Sequence, residues 1–194
     1  MTTRTEPPAQ KGARRLASDT PFWGFIFADM TVFVLFFVAY LWQFSNNRDE
    51  FRADAAHLVV WLGLLNALVL LTSSYLVVRA VQNRRAGLDT RALIGWALAS
   101  AAAFAVVKSV EYAIEINAGH TMTSSTFFMY YYVLTGLHLM HVGIGSALLT
   151  VWWRAGRAGR AIGQRFAESA AGYWHMVDLL WILIFSFVYI GSHA

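Results

Sequence analysis

Residues 23–42 read WGFIFADMTVFVLFFVAYLW, and their only acidic or basic residue is Asp29. About 20 mostly apolar residues are needed to cross roughly 30 Å of hydrocarbon. The stretch lacks the alternation of period two that a barrel strand would carry. It therefore predicts a transmembrane helix, because a lipid-exposed backbone must satisfy its own hydrogen bonds. The run lies too far from Met1, and is too long, for a typical signal peptide, so it is expected to stay in the protein.

Working outward, four more segments have the same character. The expected spans are 22–43, 57–78, 92–114, 125–153 and 173–191. The fold class that follows is an all-α integral membrane protein of five transmembrane helices. The chain is 58% hydrophobic and 13% charged, where an ordinary soluble domain carries about 25% charge. No repeat of solenoid length is visible. Cysteine is absent, which excludes disulfides, thiolate metal sites and cysteine nucleophiles. The net charge of +4 does not indicate nucleic acid, because the basic residues sit between the apolar segments.

Those residues set an orientation. Arg4, Lys11, Arg14 and Arg15 precede the first span. Arg79, Arg84, Arg85 and Arg91 lie between the second and third, and Arg154, Arg157, Arg160 and Arg165 between the fourth and fifth. The other side has Arg48 and Arg52. The positive-inside rule puts the N-terminus in the cytoplasm, as expected for a multi-pass protein of a bacterial-type cytoplasmic membrane. Residues 1–18 read as a mobile tail and 19–194 as one membrane domain, with Asp19 or Thr20 before Pro21 as the helix start.

Ionisable groups at membrane depth are costly, about 2.5–3.5 kcal/mol each on insertion scales, so each needs a reason. Lys108, Glu111, Tyr112 and Glu115 share one helical stripe, with Lys108 able to pair with Glu111 and Glu115 expected to snorkel to the surface. Their alternative is a transport role. His138 and His141 share a face with Thr135. They read as hydrogen-bonding links between helices, or with His175 as a metal site, though no Glu-x-x-His motif accompanies them. Gly136, Gly143 and Gly145 would allow close helix approach there. His175 and Asp178 stand three apart and are expected to hydrogen-bond within the bundle, toward the fourth span, or to do proton work. Asp29 has only Phe25, Ile26, Val32 and Phe33 one turn away. It is a candidate proton carrier, or else a neutral acid bonded to a neighbouring helix or a lipid headgroup.

Three segments together resemble the subunit III family of haem–copper oxidases: WGFIFADMTVFVLFFVAYLW at 23–42, STFFMYYYVLTGLHLMHVGIG at 125–145 and YWHMVDLLWILIFSFVY at 173–189. Glu111–Tyr112 falls where that family carries a Glu-Tyr pair, and Asp29 where it carries a buried carboxylate. Five spans correspond to the short form. Within it, Asp at position 29 and the run FFMYYYVLTGLH resemble the NorE-like accessory subunit of nitric oxide reductase. The resemblance implies a protein that is not catalytic alone and holds no haem or metal. It implies two helices splayed from three around a cleft filled by phospholipid. It also implies packing against the larger catalytic subunit of an oxidase or nitric oxide reductase, supporting that subunit's assembly, stability, turnover or proton uptake. A cytochrome c or quinol oxidase is the alternative partner. The rival readings are a haem- or metal-binding electron carrier and a small transporter. The carrier would need axial histidines from His138, His141 and His175. The transporter is disfavoured by the lack of an inverted repeat and of Pro-broken spans.

Overall fold

The computed structural model describes residues 11–160 and 162–191, with side chains from residue 23 onward. The elements are α1 (Lys11–Asn46), α2 (Arg48–Ala55), α3 (Val60–Arg85), α4 (Arg91–Asn117), α5 (Thr126–Arg157) and α6 (Gln164–Ile184), which continues as a π-helical segment (Phe185–Gly191). Among the described residues, five helices are long and apolar enough to cross a membrane: Trp23–Asn46 of α1, then α3, α4, α5, and α6 with its π extension. The arginines at the end of α3, the start of α4 and the end of α5 gather at one end of the bundle, the basic end. Of the expected mobile tail, residues 1–10 lie outside the described part, and from Lys11 the backbone is helical.

The fifth span begins at Gln164, earlier than its apolar run, because Ala167, Ala170 and Ala171 already face the bundle. Glu168 turns outward there and pairs with Arg85 of α3 at 2.8 Å. Between the first two spans lies α2, a short helix the hydropathy pattern does not reveal. It buries Phe51 against Tyr40, Phe44 and Phe127. Asp49 and Glu50 stand in its first turn, where the helix dipole favours negative charge.

Local sequence explains the helix ends. The Ser125 hydroxyl accepts the Phe128 N–H at 3.3 Å and starts α5. Before α4, Asp89 accepts the backbone N–H and the guanidinium of Arg91, which hold its carboxyl below the usual carboxylate range. At the far end of α4, Gly119 takes φ 90°, which few other residues tolerate. That turn brings the His120 N–H back to the Glu115 carbonyl at 2.9 Å.

The helices are grouped differently from the expected two against three. α3 packs along α4 and also against α6, so the second span belongs to the main bundle. The reason lies in its buried stripe of Gly63, Asn66, Ala67, Leu70, Ser73, Val77 and Ala80, where small residues let two neighbours approach. The first span alone stands at the edge. It meets α2, α5 and α6 through one seam: Ile26, Met30, Phe33, Phe37, Tyr40 and Phe44, spaced alternately by four and three. That period keeps one narrow line facing a partner helix, as in a coiled coil. The opposite side exposes Phe25, Phe27, Val34, Leu35, Val38 and Trp42.

Of the three glycines expected to allow close approach, only Gly145 is used that way. A Cβ there would lie 2.7 Å from Trp174. At Gly143 it would meet nothing within 4 Å, and at Gly136 only the Tyr112 hydroxyl at 3.9 Å.

Candidate functional site

The polar residues that cluster in the spans separate into four groups. At the edge of the bundle, Asp29 of α1 meets α5: its Oδ1 lies 3.0 Å from His141 Nε2. The partner missing from its own helix is supplied by another. Phe33 lies edge-on to the imidazole and Tyr173 stacks near it, so the ring is held from two sides. His141 Nδ1 lies 2.7 Å from the Leu137 carbonyl. A carbonyl can only accept, so Nδ1 carries a hydrogen and the link to Asp29 contains one further proton. The pair is then either imidazole with carboxylic acid or imidazolium with carboxylate. The second carboxyl oxygen of Asp29 is buried without a partner among the described residues.

The second group is closed. Lys108 is fully buried, and its ammonium donates to Glu111 Oε2 at 3.2 Å, to the Tyr131 hydroxyl at 3.0 Å and to the Tyr189 hydroxyl at 2.6 Å. Both phenols then donate to Glu111 Oε1, at 3.0 and 2.5 Å. All three ammonium hydrogens and both carboxylate oxygens are satisfied, the condition under which a buried ion pair is tolerated. The Tyr131 ring lies 4.3 Å from Nζ, and those of Tyr112, Trp181 and Tyr189 complete a cage. Tyr112 lies beside it and links to Thr135 at 2.7 Å.

Third, Glu115 is buried, not snorkelling. It bonds His120 Nδ1 at 2.9 Å, because the Gly119 turn folds that ring back over the helix end. Fourth, His175 does not bond Asp178, whose Oδ2 lies 3.9 Å from Nδ1. It reaches Ser74 of α3 at 2.6 Å, so its partner is the second span and not the fourth. His138 also departs from the expected role. Neither ring nitrogen has a hydrogen-bond partner among the described residues, and the ring lies between Phe104 and Trp181. His138, His141 and His175 thus face different surroundings. No group of three or more His, Asp or Glu able to hold a metal occurs among the described residues.

Sequence reasoning missed Tyr131, Tyr189, Ser74 and His120. Tyr131 stands one turn before Thr135 and could have been drawn into that stripe. Tyr189 could not, because it lies in the π segment, whose wider turn shifts the facing register.

Residues 20–193 match the family described as cytochrome c oxidase subunit III. The chain belongs to the cytochrome c oxidase subunit III family. Among similar curated proteins, cytochrome c oxidase subunit 3 of Synechocystis sp. is 31% identical over 173 residues, covering 86% of this chain and 72% of the relative. That of Thermostichus vulcanus is 28% identical, covering 86% and 83%. That of Bacillus sp. strain PS3 is 26% identical and covers 98% and 95%. In this chain the family match spans all four polar groups.

Proposed function

We propose that the chain is the non-catalytic subunit III of a haem–copper terminal oxidase. It packs against the larger catalytic subunit in a bacterial-type cytoplasmic membrane and supports that subunit's stability and proton uptake. The observation that carries this reading is the family match across residues 20–193, reinforced by relatives named as cytochrome c oxidase subunits. The nitric oxide reductase reading rests on Asp29 and the run FFMYYYVLTGLH alone, and no relative described above bears that name. The oxidase therefore takes precedence over it.

In this role Asp29 and His141 share one proton at the bundle edge, beside the exposed apolar side of α1, where phospholipid is the expected neighbour. The Lys108–Glu111–Tyr131–Tyr189 group ties α4, α5 and the π segment together, with no vacancy for a transported ion.

Purification in mild detergent, with identification of co-purifying membrane subunits, tests the assignment. A haem–copper oxidase catalytic subunit is expected. A nitric oxide reductase catalytic subunit would move the assignment to that enzyme. A stoichiometric Soret band on this chain alone would make it an electron carrier.

A further inference from the structure

Asp178 is 4% exposed within the fifth span, and neither carboxyl oxygen has a hydrogen-bond partner among the described residues. An ionised carboxylate so placed would be strongly disfavoured. Three residues earlier, His175 occupies a different setting. Its side chain is 37% exposed and lines a groove of about 440 Å³ between α3 and α6. Apolar Val78, Val81, Ala171 and Gly172 form the walls, and the Arg85–Glu168 ion pair and Gln82 lie along it toward the basic end. The titratable groups around His175 are Asp178 on its own helix and, farther along the groove, the Arg85–Glu168 ion pair, with the Ser74 hydroxyl opposite on α3.

We propose that Ser74, His175 and Asp178 form a proton-holding site, separate from the Asp29–His141 pair, that exchanges with water at the basic end through the α3–α6 groove. The proton rests on Asp178, the member shut away from solvent, and His175 is its route outward. In the uptake step, a proton from groove water binds Nε2 of a neutral imidazole that already carries hydrogen on Nδ1. The imidazolium then gives its Nδ1 proton to the Asp178 carboxylate, leaving a carboxylic acid and a neutral imidazole protonated on Nε2. Ser74 accepts from Nδ1–H before the step and donates to the bare Nδ1 after it, so its single hydroxyl serves both tautomers across 2.6 Å. The transfer requires side-chain rotation to close the 3.9 Å between Nδ1 and Oδ2.

Infrared spectroscopy of the purified full-length chain tests this and needs no partner enzyme, so its outcome is independent of the oxidase assignment. A protonated-carboxyl C=O component is expected in the wild type and missing from Asp178→Asn, apart from any band that Asp29 contributes to both. The Asp178 component should shift on transfer to heavy water. His175→Gln should keep the band and slow its shift by roughly 100-fold, the size of effect a positioned proton donor supplies. Val78→Trp, which narrows the groove and leaves the three residues in place, should also slow it, whereas Leu179→Trp should not. Identical carboxyl bands in wild type and Asp178→Asn would overturn the proposal. So would an exchange rate indifferent to both His175→Gln and Val78→Trp. Should Asp178→Asn not fold, the Val78→Trp and Leu179→Trp pair decides between groove access and none.

Discussion

At the scale of single residues, the two ion-pair groups differ in what they leave unsatisfied. Lys108 and Glu111 satisfy each other completely with two phenols, so their removal is a matter of charge balance. Lys108→Leu leaves a buried carboxylate without its cation and should cost about 3–5 kcal/mol. The double variant Lys108→Leu/Glu111→Leu removes both charges and should recover most of that loss, because apolar replacement of a buried pair is often neutral. Thermal unfolding in detergent compares the two, and a double variant less stable than the single would contradict this account. Asp29 behaves otherwise. In Asp29→Asn an amide N–H still donates to Nε2 of neutral His141, so the contact survives and the transferable proton does not. Stability should change by less than about 1 kcal/mol, near the net worth of one hydrogen bond. Turnover of the partner enzyme should slow without vanishing. Total inactivation in a normally assembled complex would assign Asp29 a larger part than proton supply.

At the scale of elements, close packing of α5 on α6 depends on one missing side chain. Trp174 is fully buried, donates to Ser73 of α3 at 3.2 Å, and leaves no space for a Cβ at Gly145. Gly145→Val must displace that indole and break its hydrogen bond, so a loss of about 1–3 kcal/mol is expected, as for other overpacked cores. Gly143, two residues away and facing open space, is the control. Gly143→Val should stay within about 0.5 kcal/mol, the range of substitutions that disturb no packing. Equal melting temperatures for the two variants would show that α5 and α6 do not meet through this glycine.

At the scale of the whole molecule, the charge asymmetry makes a prediction about sidedness. The absence of cysteine permits a clean measurement, since any introduced thiol is unique. Gly87, in the turn between α3 and α4, lies at the basic end, and Ser124, before α5, at the other. In right-side-out vesicles a membrane-impermeant thiol reagent should label Ser124→Cys and spare Gly87→Cys until the membrane is opened. The reverse pattern would invert the orientation and place the Ser74–His175–Asp178 groove on the outer side.

Read alone, the amino-acid sequence determined the class and the number of spans, because crossing hydrocarbon demands long apolar helices and leaves a strong linear signal. It also showed which ionisable residues stand within the long apolar helices, and the motifs of α5 and α6 carried the family resemblance. The tertiary structure decided the partners: Asp29 with His141, His175 with Ser74, Glu115 with His120, and the two phenols around Lys108. It also placed α3 inside the bundle instead of splayed from it. Helical spacing reports which residues share a face, but hydrogen bonds between helices depend on rotation, crossing and a π turn. Those are set by packing of small and aromatic side chains contributed from distant parts of the chain.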